Sequence, residues 1–198
     1  MGTTVGPQDN GRRMSLDNFD LAEAQEGYNY ELSRGVVVVS DIPGRPHLAQ
    51  VNATRRQFAA YDLANPGKID TIANGSECKL LLPPFESERH PDLAIYKHPP
   101  LSNENLWATW IPEILIEIVS AESQFRDYVE KREEYWKFGV REYWIIDAYR
   151  RELFVLRRGK GDWTEHHIRP PKKYKTRLLP GLEFDIAAVF AAAEAAGL

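Results

Sequence analysis

The chain has 198 residues, with 25 Lys and Arg against 29 Asp and Glu, a formal net charge of −4 and a single cysteine, Cys78. That length supports one sizeable core, the acidic balance argues against a protein that coats nucleic acid by bulk electrostatics, and one cysteine excludes an internal disulfide framework or a cysteine-rich zinc site. No apolar stretch approaches the roughly 18–20 residues that span a bilayer, so a soluble cytoplasmic protein without a membrane anchor is expected.

Residues 1–14 are polar, glycine-containing and aperiodic, and read as a flexible leader; residues 15–198 read as a single domain. Ser15 is a candidate N-cap for a helix start carrying Leu16, Phe19 and Leu21. Residues 28–32 and 35–40 form a hairpin pattern about Ser33-Arg34-Gly35. After a turn-rich break at Pro43-Gly44-Arg45-Pro46, helical spacing runs through Leu48, Val51, Phe58, Tyr61 and Leu63 and closes at Asn65-Pro66-Gly67. Strand patterns follow at 79–82, 92–96, 113–119, 142–147 and 152–156, with a helix predicted at 125–138 and Gly139 as its terminator. The order strand, helix, strand over 113–147 is a crossover unit, whereas 142–156 reads as a hairpin, so the sheet is mixed. The alanine-rich segment 185–196 completes the chain as a helix.

Three ionisable residues stand where packing alone does not want them. Glu117 interrupts Ile114-Leu115-Ile116-Glu117-Ile118-Val119, a buried-strand pattern, and a carboxylate there must be satisfied by a metal, a cation or a proton. Lys131 falls on the stripe Tyr128, Lys131, Tyr135, Phe138, the helix face that should meet the sheet. Asp127, four residues earlier, offers it an ordinary intrahelical pair, or acts as a partner that positions it. Asp92 follows Pro91, which cannot donate to a ladder, and so should sit at a strand start where its side chain can be aimed. Two carboxylates on neighbouring strands can hold a divalent metal, and a lysine aimed at the same point can orient or deprotonate water or neutralise charge on phosphorus; phosphodiester hydrolysis needs those parts.

His47, at a helix start after Pro46, is either a surface residue or a contact for phosphate or metal-bound water. Asp147 reads as turn chemistry after Trp144-Ile145-Ile146. Lys172, Lys173, Lys175 and Arg177 form a basic cluster that could track a nucleic-acid backbone, although charge runs are commonly solvated loops.

Pro91-Asp92, Glu117 and Lys131 resemble the PD-(D/E)xK nuclease signature, with Val119 where that signature usually has its lysine and Lys131 supplying one from the next helix. More fully, the chain resembles the Uma-two family of restriction-endonuclease-like bacterial proteins. The resemblance rests on Tyr30-Glu31-Leu32 with Gly35, on His47, on Pro91-Asp92, and on the block from Pro112 through Ser120. It continues with Asp127, Lys131, Tyr135 and Gly139-Val140-Arg141-Glu142-Tyr143-Trp144-Ile145-Ile146-Asp147, and covers about residues 15–185. It implies a restriction-endonuclease-like α/β core, a mixed sheet flanked by helices. It also implies a Mg2+ or Mn2+ site at Asp92 and Glu117, Lys131 as the catalytic lysine, Glu31 as an accessory metal ligand, and DNA as substrate. The expectation is a metal-dependent endodeoxyribonuclease, with a catalytically silent nucleic-acid or protein-interaction module as the alternative; a homodimer is the simplest way to cut two strands.

Overall fold

The computed structural model describes residues 3–120 and 123–198. In chain order the elements are β1 (Thr4–Val5), α1 (Leu16–Asp20), β2 (Glu23–Ala24), β3 (Tyr28–Ser33), β4 (Val36–Asp41), α2 (Arg45–Ala64), β5 (Thr71–Ala73), β6 (Leu80–Leu82), β7 (Ser87–Arg89) and β8 (Leu93–Tyr96). Then come α3 (Leu106–Thr109), β9 (Ile114–Ile118), a π-helical stretch (Arg126–Glu130) continuing into α4 (Lys131–Phe138), β10 (Glu142–Asp147), β11 (Glu152–Arg158), β12 (Trp163–Ile168) and α5 (Ile186–Ala195).

The main sheet has six strands in the order β12-β11-β10-β9-β8-β5. Only β9 and β10 run parallel, joined by the π-helical stretch and α4, and the other pairs are antiparallel. The sheet is therefore mixed, as the order of patterns predicts. A second, antiparallel sheet runs β4-β3-β7-β6. Its β3–β4 hairpin turns through Arg34 and Gly35 at φ +51° and +73°, a conformation that a glycine at the second position makes cheap. Ser15 caps α1 by accepting the Asn18 N–H, and Gly139 at φ +111° stops α4. Among the described residues no helix is long and apolar enough to cross a membrane.

Alternation along β9 divides the core. Ile114, Ile116 and Ile118 pack on one face of the sheet with Phe58 of α2, Trp144, Phe184 and Phe190 of α5. Leu115 and Val119 face the other way, toward Tyr135 of α4 and Tyr143. Glu117 has the parity of Leu115 and Val119, so the strand's period of two turns it toward α4. Burying a side chain such as Phe58, which is fully enclosed, is worth about 1.5–3 kcal/mol. Packing of this kind holds a charged residue inside the sheet.

Several elements depart from the sequence reading. The segment 1–14 does not fit a loose leader where it is described: Thr4–Val5 pairs with Glu23–Ala24 and Val5 is buried. Strands β5, β7 and β12 were not anticipated. The predicted helix at 125–138 begins as a π-helical turn, a form that recurs at functional sites.

Candidate active site

Glu31, His47, Asp92, Glu117, Asp127 and Lys131 all line one cavity of about 930 Å³. The sheet register explains the central pair. Leu93 lies opposite Ile116 and Ala94 opposite Leu115, so one further step sets Asp92 across from Glu117 where the β8–β9 ladder ends. Asp92 extends the ladder with its side chain, Oδ2 accepting the Ile118 N–H at 2.7 Å. Its Oδ1 lies 2.9 Å from Nε2 of His47, in the first turn of α2.

Lys131 is enclosed and sits among three carboxylates: 3.1 Å from Glu117 Oε1, 3.2 Å from Asp127 Oδ1 and 3.5 Å from Glu31 Oε1. The intrahelical pair with Asp127 is real, but it lies on the buried face and is shared. Burial disfavours the ammonium; Glu117, Glu31 and Asp127 outweigh that cost and hold its pKa above the ordinary lysine value. One ammonium cannot compensate three acids. Burial pushes the Glu117 carboxyl up to about 8 against the pull of Lys131, with Asp127, Asp92 and Glu31 adding to the rise. Asp127 is likewise raised, first by burial. Glu31 goes the other way: Lys131 and Arg89 overcome its burial and hold it down at about 2.

The supporting contacts come from α4, β7 and β10. Tyr135, one turn after Lys131, donates its hydroxyl to Glu117 Oε1 at 2.7 Å. Among the described residues no protein donor bonds Glu117 Oε2. Tyr143 packs edge-on against Tyr135, centroids 4.9 Å apart, and donates to the Asp127 carbonyl at 2.9 Å. Arg89, fully buried, forks onto Glu134 with Nε–Oε2 at 2.8 Å and Nη2–Oε1 at 3.0 Å, and reaches Glu31 Oε2 at 3.3 Å. These side chains clamp the smaller sheet to α4.

The residues fit a hard divalent cation at Asp92 and Glu117. Seven side-chain carboxylates line the cavity against the cations Lys79, Arg126 and Lys131, the contacts to Glu117 from Tyr135 and Lys131 fall on Oε1, and Asp127 Oδ1 is buried without an aligned hydrogen bond. Among the described residues no three or more His, Cys, Asp or Glu side chains gather into a metal cage. A pair of carboxylates that leaves the remaining positions to water or other oxygen donors is a set that Mg2+ accepts. Glu31, the accessory ligand that the resemblance implied, lies in the same cavity. Its oxygens contact Arg89, Lys131 and the His90 N–H, as those of Asp92 contact His47 and the Ile118 N–H.

Lys172, Lys173, Lys175 and Arg177 do not line the cavity. They follow β12, and Lys173 and Lys175 pair with Asp185 and Glu183. Asp147 ends β10 and holds the turn that follows, accepting from Arg150 N and Tyr128 Oη. Arg89 and Tyr135 are the participants that sequence patterns missed; Tyr135 reads as core from its stripe, and Arg89 sits in a charged run that resembles a solvated loop.

A family model described as "Putative restriction endonuclease", Uma2, matches residues 16–187. The fold is similar to the crystal structure of "a putative nuclease belonging to DUF820 from Anabaena variabilis ATCC 29413", at 18% identity and a TM-score of 0.72, covering 91% of this chain and 99% of that one. At that identity the likeness is one of fold. No curated protein matches.

Proposed function

The chain belongs to the Uma2 family, and we propose that it is a metal-dependent nuclease hydrolysing phosphodiester bonds through a PD-(D/E)xK-type site whose lysine comes from the helix after the strand. The observation that carries this reading is the trio at the end of the β8–β9 ladder: Asp92 set across from Glu117, and Lys131 3.1 Å from Glu117 Oε1. Asp92 and Glu117 would hold Mg2+ or Mn2+, Glu117 through Oε2. The bound ion supplies Lewis-acid polarisation of a phosphoryl oxygen and a more acidic water.

Lys131 acts as a fixed positive charge. Glu117, Glu31 and Asp127 hold its pKa above the ordinary lysine value, which suits it to orient the attacking water and to offset charge gathering on the phosphoryl oxygens. Tyr135 and Lys131 both engage Glu117 Oε1, which leaves Oε2 for the cation. Asp127 and Glu31 keep the ammonium in place, and His47 holds Asp92.

The reading is tested with end-labelled nucleic acid in Mg2+ or Mn2+, comparing the parent, folded Glu117→Gln and folded Lys131→Met variants, and an EDTA control. Metal-dependent cleavage by the parent alone supports it. Equal cleavage by parent and variants overturns it. One observation favours a second reading, a catalytically silent binding module: three carboxylates absorb the charge of Lys131. Cation-dependent binding without any turnover would support that module. Two symmetric copies are required only if both strands of a duplex are cut together.

A further inference from the structure

The cavity is lined by apolar and aromatic side chains as well as by carboxylates. Tyr28 at the start of β3, Ile42 after β4, Leu48 on α2 and Tyr149 in the β10–β11 turn all line it, and all four are exposed apolar or aromatic side chains. They come from four separate elements and converge on the cavity that holds Asp92 and Glu117. Isolated exposed apolar residues need no explanation, but a group lining a charged cleft marks a ligand surface.

An intact duplex has little use for that apolar lining. It presents backbone and groove edges and keeps its base faces stacked inside, while an unpaired nucleotide carries an apolar π-face beside its phosphate. The charges agree. Duplex DNA brings one negative charge per about 1.7 Å of axis, and here it would meet an excess of carboxylates. The basic cluster at 172–177 lies outside the cavity, with Lys173 and Lys175 already paired. Attraction must then come from the base face more than from a track of cations.

We infer that the substrate segment is unpaired, a single strand or an extruded stretch, seated with a base against Tyr28, Ile42, Leu48 and Tyr149 and its phosphate at Asp92 and Glu117. This rests on the nuclease reading above. Stacking against two tyrosines resists sliding but reads no sequence, because every base has a π-face.

The experiment compares three molecules of one sequence in Mn2+: a single strand, a perfect duplex, and a duplex with a central unpaired bubble. The strand and the bubble are expected to be cut with kcat/KM about tenfold or more above the duplex. A folded Tyr28→Ala, Tyr149→Ala double variant should lose that preference mainly through KM, with little change on a strand made abasic around the cut. Equal cutting of duplex and strand overturns the inference, as does an equal effect of the double variant on abasic and normal strands. If the parent cuts none of the three, the nuclease reading fails, and fluorescence anisotropy of the same molecules in Ca2+ decides this inference separately. Preferential binding of unpaired molecules then supports it, and equal binding refutes it.

Discussion

Replacing Lys131 with methionine keeps most of the side chain's volume and removes the one charge that Glu117, Asp127 and Glu31 share. Removing one partner of a buried ion pair costs about 3–5 kcal/mol, because the other charge is left enclosed. Unfolding entropy of about 2.1 cal/mol/K per residue gives a chain of 198 residues about 0.4 kcal/mol/K. The melting temperature should therefore fall by about 7–12 °C at pH 8. The loss depends on pH in a defined direction. A carboxyl whose folded pKa exceeds its unfolded value stabilises the fold below the unfolded pKa and loses that contribution as pH rises through the folded one. For Glu117 the window runs from 4.5 up to about 8, and Asp127 shifts the same way. At pH 5 both acids can take protons in the variant, so the drop should be about half or less of that at pH 8. Thermal unfolding followed by circular dichroism at the two pH values measures this. Equal drops at both, or a drop at pH 8 below about 2 °C, as an exposed pair would give, would refute the shared-charge account.

Tyr135→Phe removes the hydroxyl that engages Glu117 Oε1 and should weaken Mn2+ binding by about 10–100-fold, read by calorimetric titration; unchanged affinity would reduce Tyr135 to a packing residue. Arg89→Met strips the cation from Glu134 and Glu31, and denaturant unfolding should show a loss of about 3–5 kcal/mol, whereas a loss under about 1 kcal/mol would mean the clamp is dispensable. Neutralising Lys172, Lys173, Lys175 and Arg177 together should leave the salt dependence of KM within about one unit of slope, since the cluster lies off the cavity; a larger fall would return it to the binding surface.

The middle of the charged centre was legible because two of its residues violate a local pattern. Glu117 breaks an apolar strand and Lys131 breaks an aromatic stripe, and both turn out to face one point. Asp92 was legible as a strand start, and its side chain does continue the ladder to Ile118. What stayed hidden depends on distance in sequence. Arg89 finds Glu31, 58 residues away, and Glu134, 45 residues away, and no periodicity reports such a clamp. The pairing of Lys173 and Lys175 depends on Asp185 and Glu183 folding back across a loop, so a linear run of cations looked free when it was not. Strand β12 carries His166 and His167 where alternation would want one inward apolar residue, and Phe154 takes His167 against its ring. Residues 3–14 lack periodicity because they are held by a two-residue pairing, by buried Val5 and Asp9, and by single backbone bonds linking Gly11 and Arg12 to Val37 and Met14 to Gly35, none of which repeats along the chain.

The most direct measurement is the initial rate of cleavage of a closed single-stranded circle across a Mn2+ titration, for the parent and for Asp92→Asn and Glu117→Gln variants matched in circular dichroism. The account predicts a rate that rises with Mn2+ and vanishes on EDTA in the parent, and no detectable cleavage by either variant. A parent that cuts equally with EDTA present, or a variant that cuts as fast as the parent, would contradict it.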